Sequence, residues 1–190
     1  MVRIKNDNVN TEKFWDDKHG AGQPHNAAIT PQFERFFAWG YIPTNESVSI
    51  LDVGCGQALH FRDLKSKYPL VSWNGLDISE IVRQKNHGHA SDATFYKKDI
   101  MTEEIVGVYD YIISMHTFEH FEDPLFALQK CIKHCRKDVI ICVPYEDAWG
   151  TDSSHVHKFT LTDPFTNYKA HRISDNNQEI FFVFSGEANV

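Results

Sequence analysis

Between Ser47 and Pro144 the chain interleaves apolar runs, "SVSILDV", "VSWNGLD", "ATFYKKDI", "YDYIISM" and "DVIICVP", with the amphipathic stretches "ALHFRDLKSKY", "SEIVRQKN" and "PLFALQKCIKHCRK". Short apolar runs rich in β-branched and aromatic residues read as strands, and the amphipathic stretches read as helices. Strands joined through helices lie parallel and cross over right-handed, so the pattern predicts an α/β fold with a doubly wound, mainly parallel sheet. Ligands of such a sheet bind beyond the carboxyl ends of its strands. The tail breaks the rhythm. After a short helix expected around Asp163 to Ala170, "HRISD" and "EIFFVFSG" flank Asn176, Asn177 and Gln178, which predicts an antiparallel hairpin at the sheet edge. Seven strands are expected, the last pair reversed.

The 190 residues, 42% of them hydrophobic, suffice for one core and are short for two, so a single domain over 1–190 is expected. Residues 1–45 form a separate lead-in. "TEKFWDDKHG" predicts a helix capped by Thr11 and stopped by Gly20; "TPQFERFFAWG" opens with Thr30 as N-cap and Pro31 at the first helical position, and ends at Gly40. Nineteen basic against 26 acidic residues leave a net charge of −7, which argues against nucleic acid as a partner. The N-terminus lacks an apolar targeting segment and no run reaches the ~18 apolar residues of a membrane span, so the reading is cytoplasmic, without a membrane partner. Cys55, Cys131, Cys135 and Cys142 form no secreted-type disulfide framework. Cys131 and Cys135 read as i and i+4 on one helix, on its buried face with Leu128 and Ile132 rather than as metal ligands.

The bend after the first strand of the alternation, "ILDVGCGQALHF", carries Gly54 and Gly56 but has Leu59 where a dinucleotide fingerprint needs a third glycine. Asp52, two residues before Gly54, would repel a phosphate and suits a ligand with an amino group or other positive charge. Asp77 ends the second strand, 21 residues past Gly56, where a carboxylate can accept from two ribose hydroxyls. At the end of the third, "YKKDI" sets Asp99 to accept from an exocyclic amine and Ile100 to address a ring.

Together, D-x-G-x-G, the acids ending the second and third strands, and "SMHTFEHFEDP" resemble the class I S-adenosylmethionine-dependent methyltransferases over roughly residues 45–145. That resemblance implies a Rossmann-like methyltransferase fold: a lid over 1–45, a cofactor-binding core over 46–145, and an acceptor loop with the edge hairpin over 146–190. It implies S-adenosyl-L-methionine as cofactor, with S-adenosyl-L-homocysteine as product. Gly54, Cys55 and Gly56 would approach the methionine portion, with Asp52 supporting the loop and the ammonium region. Asp77 would hold the ribose, Ile78 and Ile100 would sandwich the adenine, and Asp99 would bind its amino group. Ser114 and Met115 would contact the methionine end through backbone. Gln57 and Ala58 depart from the family, which often has Thr or Ser with Gly there. "FWDDKHG" resembles the family's opening segment, where Trp15 either joins a lid near the cofactor or staples the first helix to the sheet.

Methyl transfer is an in-line displacement in which the protein positions the nucleophile and removes its proton. His116 and His120 follow the fourth strand and His155 and His157 the fifth, so their imidazoles can meet over the sulfonium. His116 is the expected base, with His120 and His155 as further catalytic candidates. Tyr145, Glu146 and Trp149 are expected around a small-molecule acceptor, of metabolite or sugar type, methylated at oxygen or nitrogen by a monomer or homodimer. Three alternatives stand beside this. One is a catalytically inactive cofactor-binding module with a regulatory role; another is a nicotinamide oxidoreductase, opposed by Leu59 and Asp52. The third is a metal-dependent O-methyltransferase. Family members acting on vicinal hydroxyls resemble E-x-x-E-H followed by a further ligand; this chain has His116-x-x-Glu119-His120 and then His155 or His157. His in place of the first Glu favours zinc over magnesium.

Overall fold

Val48–Val53 forms β2, whose Ile50, Leu51 and Val53 are wholly buried. Neighbouring side chains leave a strand on opposite faces. Ile50 accordingly joins one core cluster, with Phe33, Phe36 and Phe61, while Leu51 and Val53 join the other, with Phe118, Leu128 and Phe182. Each such side chain taken out of water contributes roughly 1.5–3 kcal/mol, which makes a central strand of this composition stable only between two covering layers. The computed structural model of the chain describes residues 1–5, 7–21, 30–89, 92–146, 153–161, 165, 168–174 and 178–188.

In chain order the elements are β1 (Val2–Arg3), α1 (Glu12–Gly20), α2 (Thr30–Ala38), β2, α3 (Leu59–Lys67), β3 (Val71–Asp77), α4 (Glu80–His89), β4 (Thr94–Lys97) and β5 (Tyr109–Met115). After them come a 3₁₀ turn at Phe118–His120, α5 (Pro124–Lys133), β6 (Cys135–Pro144), β7 (His157–Lys158), β8 (Ala170–Ile173) and β9 (Glu179–Ser185). The large sheet has seven strands in the order β4-β3-β2-β5-β6-β9-β8. Its β2–β6 strands run parallel, while β9 pairs antiparallel with both β6 and β8. The doubly wound sheet with an antiparallel edge hairpin is as the alternation predicts, but only β9 is reversed: β8, antiparallel to β9, runs in the direction of β2–β6. No helix among the described residues is long and apolar enough to cross a membrane.

Three boundaries differ from the sequence reading. The helix read through Lys137 ends at Lys133: the backbone N–H of His134 caps it, and His134 Nδ1 donates to the Gly107 carbonyl at 2.7 Å. Cys135 then pairs with Tyr109 in the sheet, so Cys131 and Cys135 are both buried but do not share a helix. Helix α3 starts at Leu59, because Ala58 takes a left-handed conformation with φ +44°. The short helix expected near Asp163 to Ala170 lies largely outside the described residues, as does the turn at Asn176 and Asn177, and Ala170 already belongs to β8. Thr30 opens α2, while the capping roles read for it and Pro31 concern side chains outside the description.

The sequence reading missed a second sheet. β1 pairs antiparallel with β7, and Ile4 N–H donates to the Val156 carbonyl at 2.9 Å. Two-residue strands carry no periodicity, and only the pairing reveals them. This ties the chain's beginning to the segment that carries His155.

Gly75 in β3 faces the glycine bend, and an added Cβ would stand 2.6 Å from Cys55 Sγ and 2.8 Å from a ring carbon of Phe95. Gly75→Ala should cost about 1–3 kcal/mol of stability through overpacking, measured as a lower urea midpoint at unchanged m.

Candidate active site

The bend after β2 is shaped by backbone constraints that exclude a Cβ. Gly54 has φ +75°, and a Cβ there would lie 2.2 Å from Thr117 Oγ1. Gly56 also has positive φ, and its N–H donates to Asp77 Oδ2 at 3.0 Å. Asp77 Oδ1 accepts from Ser79 N–H at 2.9 Å. The end of β3 thus clasps the bend. Asn86 of α4 adds a hydrogen bond from its amide to the Gly56 carbonyl at 2.7 Å.

Above the carboxyl ends of β2–β5 lies a cavity of about 530 Å³. The structure brings to its walls Trp15, Asp52, Gly54, Cys55, Gly56, Asp77, Ile78, Asp99, Ile100, Met115, His116, His120 and His155. Ser114 is the exception: its hydroxyl donates to the Val53 carbonyl at 2.8 Å, so it ties β5 to β2 inside the sheet. Asp99 is partly committed, since Oδ1 accepts from Met101 N–H at 2.9 Å and Oδ2 from the Thr102 hydroxyl at 3.2 Å. It shapes the turn that carries Ile100 and Met101 into the wall. Burial pushes the Asp77 carboxyl up to about 6 against the pull of Ser79 and Gly56; Asp52 and Asp16 add to the rise.

Helix α1 lies over this end. Thr11 caps it by accepting from Phe14 N–H at 3.2 Å, and Asp16 accepts from the Ser79 hydroxyl and from Ile81 N–H at the start of α4. Trp15 is thereby placed edge-on to His120, with ring centroids 5.0 Å apart.

The histidines meet at the far end, around a residue the base search passed over. Glu119 is 1% exposed and neither of its oxygens has a hydrogen-bond partner among the described residues. Its Oε1 lies 3.7 Å from His116 Nδ1, 3.9 Å from His120 Nε2 and 4.0 Å from His155 Nε2. Burial pushes the Glu119 carboxyl up, yet the three imidazoles outweigh it and hold it below its ordinary value. His116 Nε2 also meets Glu179 Oε1 at 3.0 Å, and Glu179 Oε2 accepts from Arg35 at 2.7 Å. Burial pulls the His116 imidazole down, but Glu119 and Glu179 raise it to about 9. An imidazolium has no lone pair to accept a proton, so this environment counts against the expectation of His116 as base.

His120 Nδ1 donates to the Ser154 carbonyl at 3.0 Å, and its Nε2 lies 3.9 Å from Glu119 Oε1. His157 stands apart, donating from Nε2 to the Glu122 carbonyl at 3.2 Å. Tyr145 and Glu146 do not line the cavity: their N–H groups bond to the Gln178 and Phe159 carbonyls. Trp149 lies outside the described residues. Sequence reasoning also missed Asn8, Asn10, His60 and Glu179; the last was legible as the one acid opening the apolar run "EIFFVFS".

A glycine cradle clasped by Asp77, apolar walls at Ile78 and Ile100, and a polar far end define a nucleoside-cofactor site of the methyltransferase type. Known proteins agree. The chain belongs to the methyltransferase-domain family, whose model matches residues 24–184, and so to the class I S-adenosylmethionine-dependent methyltransferases. It is similar to malonyl-[acyl-carrier protein] O-methyltransferases from Bacillus anthracis, 28% identical over 99 residues, 51% of this chain and 37% of the relative, and from Bacillus cytotoxicus, 30% over 97 residues, 50% and 34%. The chain spans about a third of the length of these relatives. In fold it resembles the plantazolicin methyltransferase BpumL bound to SAH, with TM-score 0.68, 18% identity and 90% of each chain covered. It likewise resembles magnesium protoporphyrin IX methyltransferase from Synechocystis PCC 6803 with bound SAH, at 0.64, 14% and 83% of each.

Ribose hydroxyls donate best to an ionised carboxylate. Affinity for S-adenosylhomocysteine should therefore hold above about pH 6 and fall by up to about tenfold per pH unit below it. Asp77→Ala should lose ~1.5–3 kcal/mol of cofactor binding at neutral pH, read by calorimetric titration.

Proposed function

We propose that the chain transfers a methyl group from S-adenosylmethionine to an oxygen or nitrogen of a small acceptor held beside His120. The observation that carries this reading is one cavity that joins the Gly54–Gly56 cradle and Asp77 to the histidine end. The nucleophile attacks the sulfonium methyl in line; the C–S bond breaks, S-adenosylhomocysteine leaves neutral, and the acceptor's proton passes to His120 Nε2. Trp15 and the Ser154 carbonyl hold that ring in register. The relatives' names span malonyl-[acyl-carrier protein], plantazolicin and magnesium protoporphyrin IX, so they support methyl transfer and leave acceptor class to the site.

The test is calorimetric titration with S-adenosylmethionine, S-adenosylhomocysteine and NAD, followed by turnover of an acceptor panel. Both sulfur ligands should bind and NAD should not; binding of neither would overturn the cofactor assignment, and binding without turnover of any acceptor would favour the regulatory-module reading. His120→Ala should lower kcat by about 10²–10⁴-fold while cofactor affinity stays within a few-fold.

A second reading rests on Glu119. A buried carboxylate with no hydrogen-bond partner among the described residues, ringed by three imidazole nitrogens at 3.7–4.0 Å, suits a divalent cation, and Glu119, His120 and His155 bring ligand atoms within 4.8 Å of one another. His155 rather than His157 would complete the set. The ring N–H of His120 on a backbone carbonyl is the outer support that metal-ligating histidines use, and the nitrogen-rich donors suit zinc better than magnesium. A bound cation would orient an acceptor oxygen and lower its pKa. Elemental analysis of the protein after zinc loading and desalting should give one equivalent for the natural chain and none for Glu119→Gln. Equal content in both would exclude this reading.

A further inference from the structure

Asp52 ends β2 with 1% exposure and lines the cavity beside the glycine bend. Its Oδ2 meets His60 Nε2 at 3.1 Å, whereas Oδ1 is buried with no hydrogen-bond partner among the described residues. An ionised carboxylate only accepts, so His60 Nε2 carries the hydrogen. His60 is itself held by rings: it stacks on Phe33 with centroids 4.0 Å apart and planes at 11°, and meets Phe61 edge-on at 4.7 Å. One oxygen of Asp52 is thus fixed by a neighbour that cannot swing away, and the other is left over.

A carboxylate oxygen buried without a partner destabilises the fold unless a ligand donates to it. The titratable groups facing Asp52 are His60 from α3, Asp77 from β3 and the Cys55 thiol from the bend, while α2 contributes the ring of Phe33. Burial pushes the Asp52 carboxyl up and His60 draws it back. Asp77 adds a second negative charge, and Cys55 Sγ is turned to the Gly56 carbonyl. The unmet need is for a cationic donor.

We propose that His60 is a positioning residue for the cofactor's aminoacyl tail, holding Asp52 Oδ2 so that Oδ1 is presented to the tail's ammonium group. The proposal rests on the cofactor assignment above. It separates two ends of one ligand: Asp77 and the bend address the nucleoside, while the His60–Asp52 pair addresses the tail. A ligand that shares the nucleoside and lacks the tail should be indifferent to His60.

The test is calorimetric titration of the full chain with S-adenosylhomocysteine, which has the tail, and with 5′-methylthioadenosine, which lacks it. His60→Phe keeps the ring stack and removes the donor; His60→Gln restores a donor. His60→Phe should weaken S-adenosylhomocysteine about tenfold and change 5′-methylthioadenosine by less than about twofold, with His60→Gln recovering most of the loss. Equal weakening of both ligands, or weakening of neither, overturns the proposal. Failure of the natural chain to bind either ligand would instead overturn the cofactor assignment. Should His60→Phe not fold, the side-chain nitrogen resonances of His60 in the natural chain decide the matter: S-adenosylhomocysteine must shift them and 5′-methylthioadenosine must not, and any other pattern overturns the proposal.

Discussion

The hydrogen bond from Gly56 N–H to Asp77 Oδ2 joins the bend after β2 to the end of β3, and the geometry of the cofactor end follows from it. It requires Asp77 to be buried, and burial in turn raises that carboxyl to about 6. It also requires Gly54 to pass so close to Thr117 that a Cβ would overlap it. Thr117 stands next to His116, which has positive φ at +52° and whose N–H bonds to the Cys142 carbonyl. Cradle and histidine turn are therefore packed against each other, and strain at one is transmitted to the other through contact rather than through the sheet.

The acceptor end depends on charge balance in a buried place. Glu119 and Glu179 are almost fully buried carboxylates, which is costly unless each has a counter-charge. Arg35 from α2 supplies one and His116 the other, so α2, β9 and the turn after β5 meet in a single ionic chain. Its consequence is functional. A histidine placed between two carboxylates is favoured as a cation that braces the floor, which supports the proposal that proton transfer falls to His120.

Much of this was legible in the sequence, for identifiable reasons. β2, β3, β5 and β9 are buried on both faces, so their apolar runs announced the sheet, and β9 divides Phe181 and Val183 from Phe182 and Phe184 as a period of two demands. Glycines and strand-end acids announced the cofactor, since few physical needs place Gly54, Gly56 and Asp77 at that spacing. The failures share a cause: they depend on what a residue meets across the chain. Cys135 looks helical until Tyr109 claims it for the sheet, and His116 looks like a base until Glu119 and Glu179, the latter 63 residues away, favour its protonated form. Ser114, expected to reach the cofactor through backbone, is absent from the cavity wall, and its hydroxyl donates to the Val53 carbonyl.

The cavity's charges also bear on which nucleoside ligand suits it. Asp52 and Asp77 place two carboxylates beside a bend whose glycines would otherwise suit a pyrophosphate. A dinucleotide brings two negative charges to that point, and at a few ångströms in a buried setting like-charge repulsion costs several kcal/mol at an effective dielectric of about 20. A sulfonium ligand with an ammonium tail brings the opposite sign to the same place. These charges therefore favour the sulfonium ligand of the proposed function over a dinucleotide, and the acid at the end of β2 is the group that adds most to that preference beside the glycine bend.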